Sequence, residues 1–257
     1  MRKICVVTGY RSDYTKLKSI LRSIRKQENL ELQLVAFGAH MLDSFGKTVK
    51  QIENDGFTIN LRITTNVDGN TPYCMSKSIG LAVIELTAAI EHLQPDLVLI
   101  VGDRYEIFSV AIAASISNIP VAHVQGGEIS GTIDEVLRHC ITKLSHVHFP
   151  STSLSAKRIE RLGENPEFIY NVGCPAIDFI YETTFVEKRN IKKLNGLKTL
   201  KLDLSRPYFI IIQHPVTTEF SNSGDDMKII LEALQEIGTQ TIPVSYTHLT
   251  LPTIYSV

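Results

Sequence analysis

Runs of aliphatic and β-branched residues alternate along this chain with stretches whose apolar positions recur every three or four residues. Residues 3–8 (KICVVT) carry no period-two polarity, the mark of a strand buried on both faces of a parallel sheet. A polar turn (GYRSDYT) follows. Leu17, Ile20, Leu21 and Ile24 then fall at helical spacing and predict a helix over 15–27. Further strands are predicted at 31–36, 58–62, 96–101, 120–124, 146–149 and 168–171. Helices are predicted at 45–55, ended by Gly56, and at 75–92, 107–117, 133–144 and 153–162, the last capped by Ser151 or Thr152. Residues 63–74 read as a polar loop with Asp-Gly and Thr-Pro turn signals.

This rhythm predicts an α/β fold, with a Rossmann-like, doubly wound parallel sheet in an N-terminal lobe of residues 1–171. Residues 172–205, Lys-rich and irregular from 187 onward, read as hinge and linker. A second Rossmann-like lobe begins at 206, with a strand at 208–212 and a helix at 227–238, and runs to 243. A lone strand and helix bury too little surface to make a domain, so this lobe is expected to be incomplete and the sequence truncated at its C-terminal end. Residues 244–257 (VSYTHLTLPTIYSV) follow neither period and are expected to be a non-native tail, with a short final strand as the alternative.

Composition narrows the class. In 257 residues, 26 Lys and Arg face 27 Asp and Glu, so no basic excess exists to bind a nucleic acid by counterion release. No apolar run is read as long enough for a membrane helix, and the opening residues lack the pattern of a signal peptide. Cys5, Cys74, Cys140 and Cys174 lie far apart with no CxxC pair, which fits a reducing cytoplasm.

In open parallel sheets ligands sit beyond the C-terminal ends of the strands, so the loops there are where chemistry is expected. They hold Gly9, Arg11, Asp13 and Thr15; Gly102, Asp103 and Arg104; and Gln125, Gly126, Gly127 and Glu128, with Asp134 further on. After the strand of the second lobe come Gln213, His214 and Pro215. The first loop is not GxGxxG, which excludes a standard dinucleotide fingerprint. Asp13 reads equally as a helix cap or a site residue, and Arg11 stands where an anion would meet a helix N-terminus. Asp103 follows a wholly apolar strand beside Arg104, which favours a site residue over a cap. Asp134 and Arg138 stand four residues apart on one helix face, the spacing of a plain ion pair, with His139 next to them. His139, His146 and His148 lack the Cys or paired carboxylates that would complete a metal set, so no metal is expected.

The stretches GYRSDY (9–14), VGDRYE (101–106), HVQGGEISGTIDEVLRHCITKLSHVHF (123–149), VGCPAID (172–178) and QHPVTTE (213–219) resemble the hydrolysing UDP-N-acetylglucosamine 2-epimerases, which feed sialic acid and related nonulosonate synthesis. The resemblance implies a glycosyltransferase-B-like pair of lobes, a UDP-linked HexNAc as substrate, homo-oligomers and no cofactor. It implies that Asp103 and Asp134 are catalytic acids or bases and that His214 lies near the leaving diphosphate. Arg11, Thr15 and Arg104 match nucleotide-contacting positions, and Asp13, Arg138 and His139 join them as substrate-binding candidates. Many relatives carry a glutamate where this sequence has Gln125, and an amide cannot exchange a proton as a carboxylate does. Either Glu128 compensates or Asp103 and Asp134 suffice, and the Gln form also resembles homologues acting on diacetamido-trideoxy nucleotide-sugars. The implied reaction releases N-acetylmannosamine and UDP through a glycal. A glycosyltransferase of the same architecture and an inactive nucleotide-sugar-binding fragment are the alternatives.

Overall fold

The computed structural model describes residues 1–67, 69, 71–182, 203, 205–213 and 223–244. The protein divides into two units, Met1–Glu182 and Thr183–Val257. In the first, six strands form one parallel sheet: β1 (Arg2–Thr8), β2 (Leu30–Phe37), β3 (Leu61–Ile63), β4 (Leu97–Val101), β5 (Val121–Val124) and β6 (Val147–Phe149). Their order is β3-β2-β1-β4-β5-β6, the doubly wound order whose direction reverses between β1 and β4. The absence of alternation in the apolar runs now has its reason. Cys5 and Val7 pack on one face with Val98, Ile100 and Val121. Val6 packs on the other with Leu99, Val101, Ala122 and Val124. Helices α1 (Arg11–Arg25) and α2 (Val49–Asn54) supply residues to the second face. Helices α3 (Pro72–Leu93), α4 (Tyr105–Ile116) and α5 (Ile133–Lys143) supply the first. Helices α6 (Ser153–Arg161) and α7 (Pro175–Glu182) complete the unit.

The Rossmann-like α/β class holds, and most boundaries fall within two residues of those expected. The departures have local causes. Helix α1 starts at Arg11, with extended Tyr10 before it, because the polar segment read as a turn is the first helical turn. The helix expected over 45–55 is cut to α2 because Gly46 and Lys47 take left-handed φ of 77° and 44°; short 3-10 turns precede them. Helix α3 begins at Pro72, with the Thr71 hydroxyl accepting from the Cys74 backbone N–H, so the Thr-Pro pair caps a helix instead of closing a loop. The strand expected at 168–171 is one isolated bridge, His148 to Ile169, after a 3-10 turn started by Pro166. Helix α3 is long and apolar enough, by length and composition, to cross a membrane, which corrects the reading that no such run exists. It packs on α4, burying Ala82, Leu86, Ala89 and Ile90.

The first unit extends past residue 171 through α7, which lies on α1. The Lys18 ammonium sits over the Phe179 ring, and Arg22 pairs with Glu182 at 3.0 Å. In the second unit β7 (Phe209–Ile212) pairs in parallel with β8 (Thr241–Val244), joined through α8 (Ser223–Ile237). Gln240 clips this pair to Asp203, donating to its carbonyl at 2.6 Å and accepting from its N–H at 3.0 Å. The second unit thus carries one strand more than expected. The expected tail lies outside the described residues except for Val244.

Gly127 shows how tightly the loop after β5 is held. A Cβ there would collide with the Ser155 carbonyl oxygen, at a φ of +77° that side chains resist. By urea titration, Gly127→Ala is expected to cost about 2–4 kcal/mol of unfolding free energy. Gly131→Ala, in open space, is expected to cost far less by the same measurement.

Candidate active site

The site stands at the C-terminal ends of β1, β4 and β5, where the sheet order reverses. Its centre is Arg138, on α5 and 4% exposed. Its guanidinium donates to the Asp103 carboxylate through Nε at 3.1 Å and through a second, very short contact from Nη2. It also donates to the Glu128 carbonyl at 2.8 Å and to the Ser130 hydroxyl at 3.1 Å. One buried cation thereby ties the loop after β4 to the loop after β5. The ion pair expected between Asp134 and Arg138 is not the one formed, because Arg138 reaches Asp103 in the loop after β4. Asp134, one helical turn before Arg138, keeps its proton more tightly than an ordinary aspartate. Burial is the main cause and the charge of Asp103 the next, opposed by Arg104 and Arg138. The two carboxyls therefore share one electrostatic neighbourhood.

A second cluster lies between the starts of α1 and α4. Arg104 donates through Nε and Nη2, one edge of its guanidinium, to both oxygens of buried Glu106, at 3.1 and 3.0 Å, and stacks on Tyr10 with 4.0 Å to the ring centroid. Asp13 is buried behind it, with Oδ1 accepting from Ser12 at 3.3 Å and Oδ2 without a partner among the described residues. Burial pushes the Asp13 carboxyl up to about 7, against the pull of Arg104 and with that of Glu106. Arg11 is exposed on the first turn of α1. The Thr15 hydroxyl donates to the Arg11 carbonyl at 3.0 Å.

Gln125 closes β5 in a left-handed conformation, φ +65°, and its amide donates to Cys174 Sγ at 3.2 Å. Behind the loop, fully buried His123 bonds the Gly102 carbonyl through Nε2 at 2.8 Å and Thr142 through Nδ1 at 3.3 Å. Burial lowers its pKa to about 4, so it is a neutral strut between β5, β4 and α5. Gly126 leaves room for that strut, since a Cβ would meet both His123 and Thr142 at 3.0 Å. His139 is half-buried on α5, with Nδ1 unpartnered among the described residues. His146 accepts from the Val121 N–H at 3.2 Å, and His148 pairs with Glu164 at 3.3 Å. Among the described residues no three His, Cys, Asp or Glu side chains gather to hold a metal. His214 lies outside the described residues.

The structure thus brings together Asp103, Arg138, Asp134 and the Glu128 backbone, with Arg104 and Asp13 beside them. Reasoning from sequence did not single out Glu106, Tyr10, Ser130, His123 or Cys174. All five lie inside the stretches 9–14, 101–106, 123–149 and 172–178 that carry the resemblance, which was the signal that could have found them.

A family model described as UDP-N-acetylglucosamine 2-epimerase matches residues 22–254, a span that takes in most of the expected tail. The GDP/UDP-N,N'-diacetylbacillosamine 2-epimerase (hydrolyzing) of Campylobacter jejuni is 35% identical over 94% of this chain and 62% of its own length. The Legionella pneumophila UDP-N,N'-diacetylbacillosamine 2-epimerase (hydrolyzing) is 36% identical over 94% and 63%. The crystal structure of the Neisseria meningitidis UDP-GlcNAc 2-epimerase bound to UDP-GlcNAc superposes with a TM-score of 0.77 at 17% identity, over 96% of this chain and 67% of that one. This chain belongs to the UDP-N-acetylglucosamine 2-epimerase family. It spans less than two thirds of the length of the Campylobacter and Legionella relatives.

Asp13 makes stability depend on pH with a definite sign. Its folded pKa lies above the unfolded value, so between about pH 4 and 7 the folded state binds the extra proton and stability falls as pH rises. Above 7 the loss is complete and is on the order of 4 kcal/mol. Asp13→Asn removes the charge. Its Tm is expected to match the parent near pH 4 and to exceed it increasingly up to pH 7, measured by thermal melts across that range.

Proposed function

We propose that the protein is a hydrolysing nucleotide-sugar 2-epimerase that converts a UDP-linked HexNAc and water to the free 2-epimer and UDP, supplying nonulosonate synthesis. The observation that carries this reading is the Arg138–Asp103 pair with Asp134 in its field. C2–H of the sugar is not acidic, because no carbonyl adjoins it. Breaking the C1–O bond to the diphosphate makes C1 cation-like, and that acidifies C2–H. A carboxylate takes the C2 proton, UDP departs with the C1–O electron pair, and a glycal with a C1–C2 double bond remains. A proton then returns to the opposite face of C2 and water adds hydroxide to C1.

Such chemistry needs two carboxyls with different proton affinities. Asp103, ion-paired to Arg138, serves as the base, and Asp134, which burial and Asp103 keep protonated longer, serves as the acid. Arg104, held on Tyr10, faces the leaving diphosphate, with Arg11 as a further partner of that charge. Glu128 is the reserve carboxylate on the β5 loop. Gln125 does not exchange protons. The identity to diacetylbacillosamine epimerases supports a diacetamido sugar beside N-acetylglucosamine as the substrate.

In heavy water, with UDP-N-acetylglucosamine or UDP-N,N'-diacetylbacillosamine supplied, the released sugar is expected to be the 2-epimer carrying one deuteron at C2. Release of UDP with C2 protium retained would replace epimerisation by hydrolysis or glycosyl transfer. Asp103→Asn and Asp134→Asn are each expected to lower kcat by about 10²–10⁴-fold.

A further inference from the structure

Gln125 is 8% exposed and sits where few side chains sit willingly, at a left-handed φ of +65°. The surroundings impose that conformation. Its N–H donates to the Phe149 carbonyl at 3.0 Å, Gly126 is pinned between His123 and Thr142, and Gly127 lies against the Ser155 carbonyl. Backbone strain held this firmly directs one side chain and is a feature of binding sites. The direction is fixed at the far end too, where the amide Nε2 donates to Cys174 Sγ at 3.2 Å. Cys174 is itself anchored. It follows Gly173 at φ +86°, and its carbonyl accepts the Ile177 N–H at 3.0 Å as α7 begins against α1.

With Nε2 committed, the amide retains its carbonyl, and Oε1 is buried with no partner among the described residues. Leaving such an acceptor dry is unfavourable, and a ligand donor would relieve it. The position adjoins the proposed chemistry: Val124 pairs with Val101 across β5 and β4, so Gln125 and Asp103 emerge side by side from neighbouring strands. Oε1 can only accept. Its best complement is a group that can only donate, and on an acetamido sugar that is the amide N–H, whereas a hydroxyl both donates and accepts.

We infer that Gln125 and Cys174 form a substrate-orienting pair, in which the Gln125 side-chain carbonyl accepts a hydrogen bond from an acetamido N–H of the sugar and the Cys174 sulfur holds the amide in that direction. Gln125 is a specificity-determining contact and Cys174 a positioning residue. The inference rests on the proposed nucleotide-sugar reading and adds the group on the sugar that is recognised.

The test measures Kd by calorimetry, with the parent and every variant carrying Asp103→Asn to slow turnover, for UDP-N-acetylglucosamine and for UDP-glucose, which has a hydroxyl in place of the acetamido group. The parent protein is expected to prefer the acetamido sugar. Gln125→Leu is expected to weaken that sugar about tenfold and UDP-glucose less than about twofold. Cys174→Ala is expected to lower the preference in the same direction, and Cys174→Ser, whose hydroxyl can accept from the amide, to restore it. Equal losses for both sugars, or a preference untouched by both Gln125→Leu and Cys174→Ala, would overturn the pair. Should Gln125→Leu fail to give a cooperative melt, the Cys174 variants decide alone. A parent protein that binds neither nucleotide-sugar would instead overturn the functional reading on which the pair rests.

Discussion

The burial of one guanidinium organises the site. Arg138 is removed from water almost completely, and a cation so placed must have its donors matched by fixed acceptors. It finds them in the Asp103 carboxylate, the Glu128 carbonyl and the Ser130 hydroxyl, which come from two loops. Satisfying one charge therefore joins the end of β4, the loop after β5 and the body of α5. Asp134 is carried to its place because it lies one turn before Arg138 on the same helix.

The sheet makes that clamp possible. Its order reverses between β1 and β4, so the connections from these strands diverge and leave a crevice at their ends. Charges there are only half-solvated, and burial sets proton affinities more strongly than any single neighbour does. Asp13 and Asp134 are raised first by loss of water and only then adjusted by Arg104, Glu106 or Asp103. The same loss of water keeps His123 neutral, so it can brace the loops without adding charge. The glycines at 126 and 127 are the geometric side of this arrangement, since they let backbone and strut approach where a Cβ would not fit.

Family membership and local geometry meet at Gln125. Its amide, which exchanges no proton, stands at the rim, and its backbone conformation is held by the same packed loop. A position kept so firmly in an unfavourable conformation keeps its direction whether it bears acid or amide.

Periodicity alone made the βα alternation, the two-faced burial of the strands and the parallel class legible, because buried parallel strands must be apolar throughout and helices must show one apolar side. The placing of Asp103, Arg104 and Gln125 near strand ends was legible for the same reason. Boundaries failed where a polar stretch was taken for a loop, as at Arg11 and Pro72, or where a left-handed residue cut a helix, as at Lys47. Partnership was decided only in three dimensions. Spacing offers Arg138 to Asp134, but Arg138 reaches Asp103 in the loop after β4, and Cys174 reaches Gln125 from a distant part of the sequence. One-dimensional spacing fixes which residues share a face of their own element; which charge answers which depends on the distances between elements, and these exist only once the core has packed.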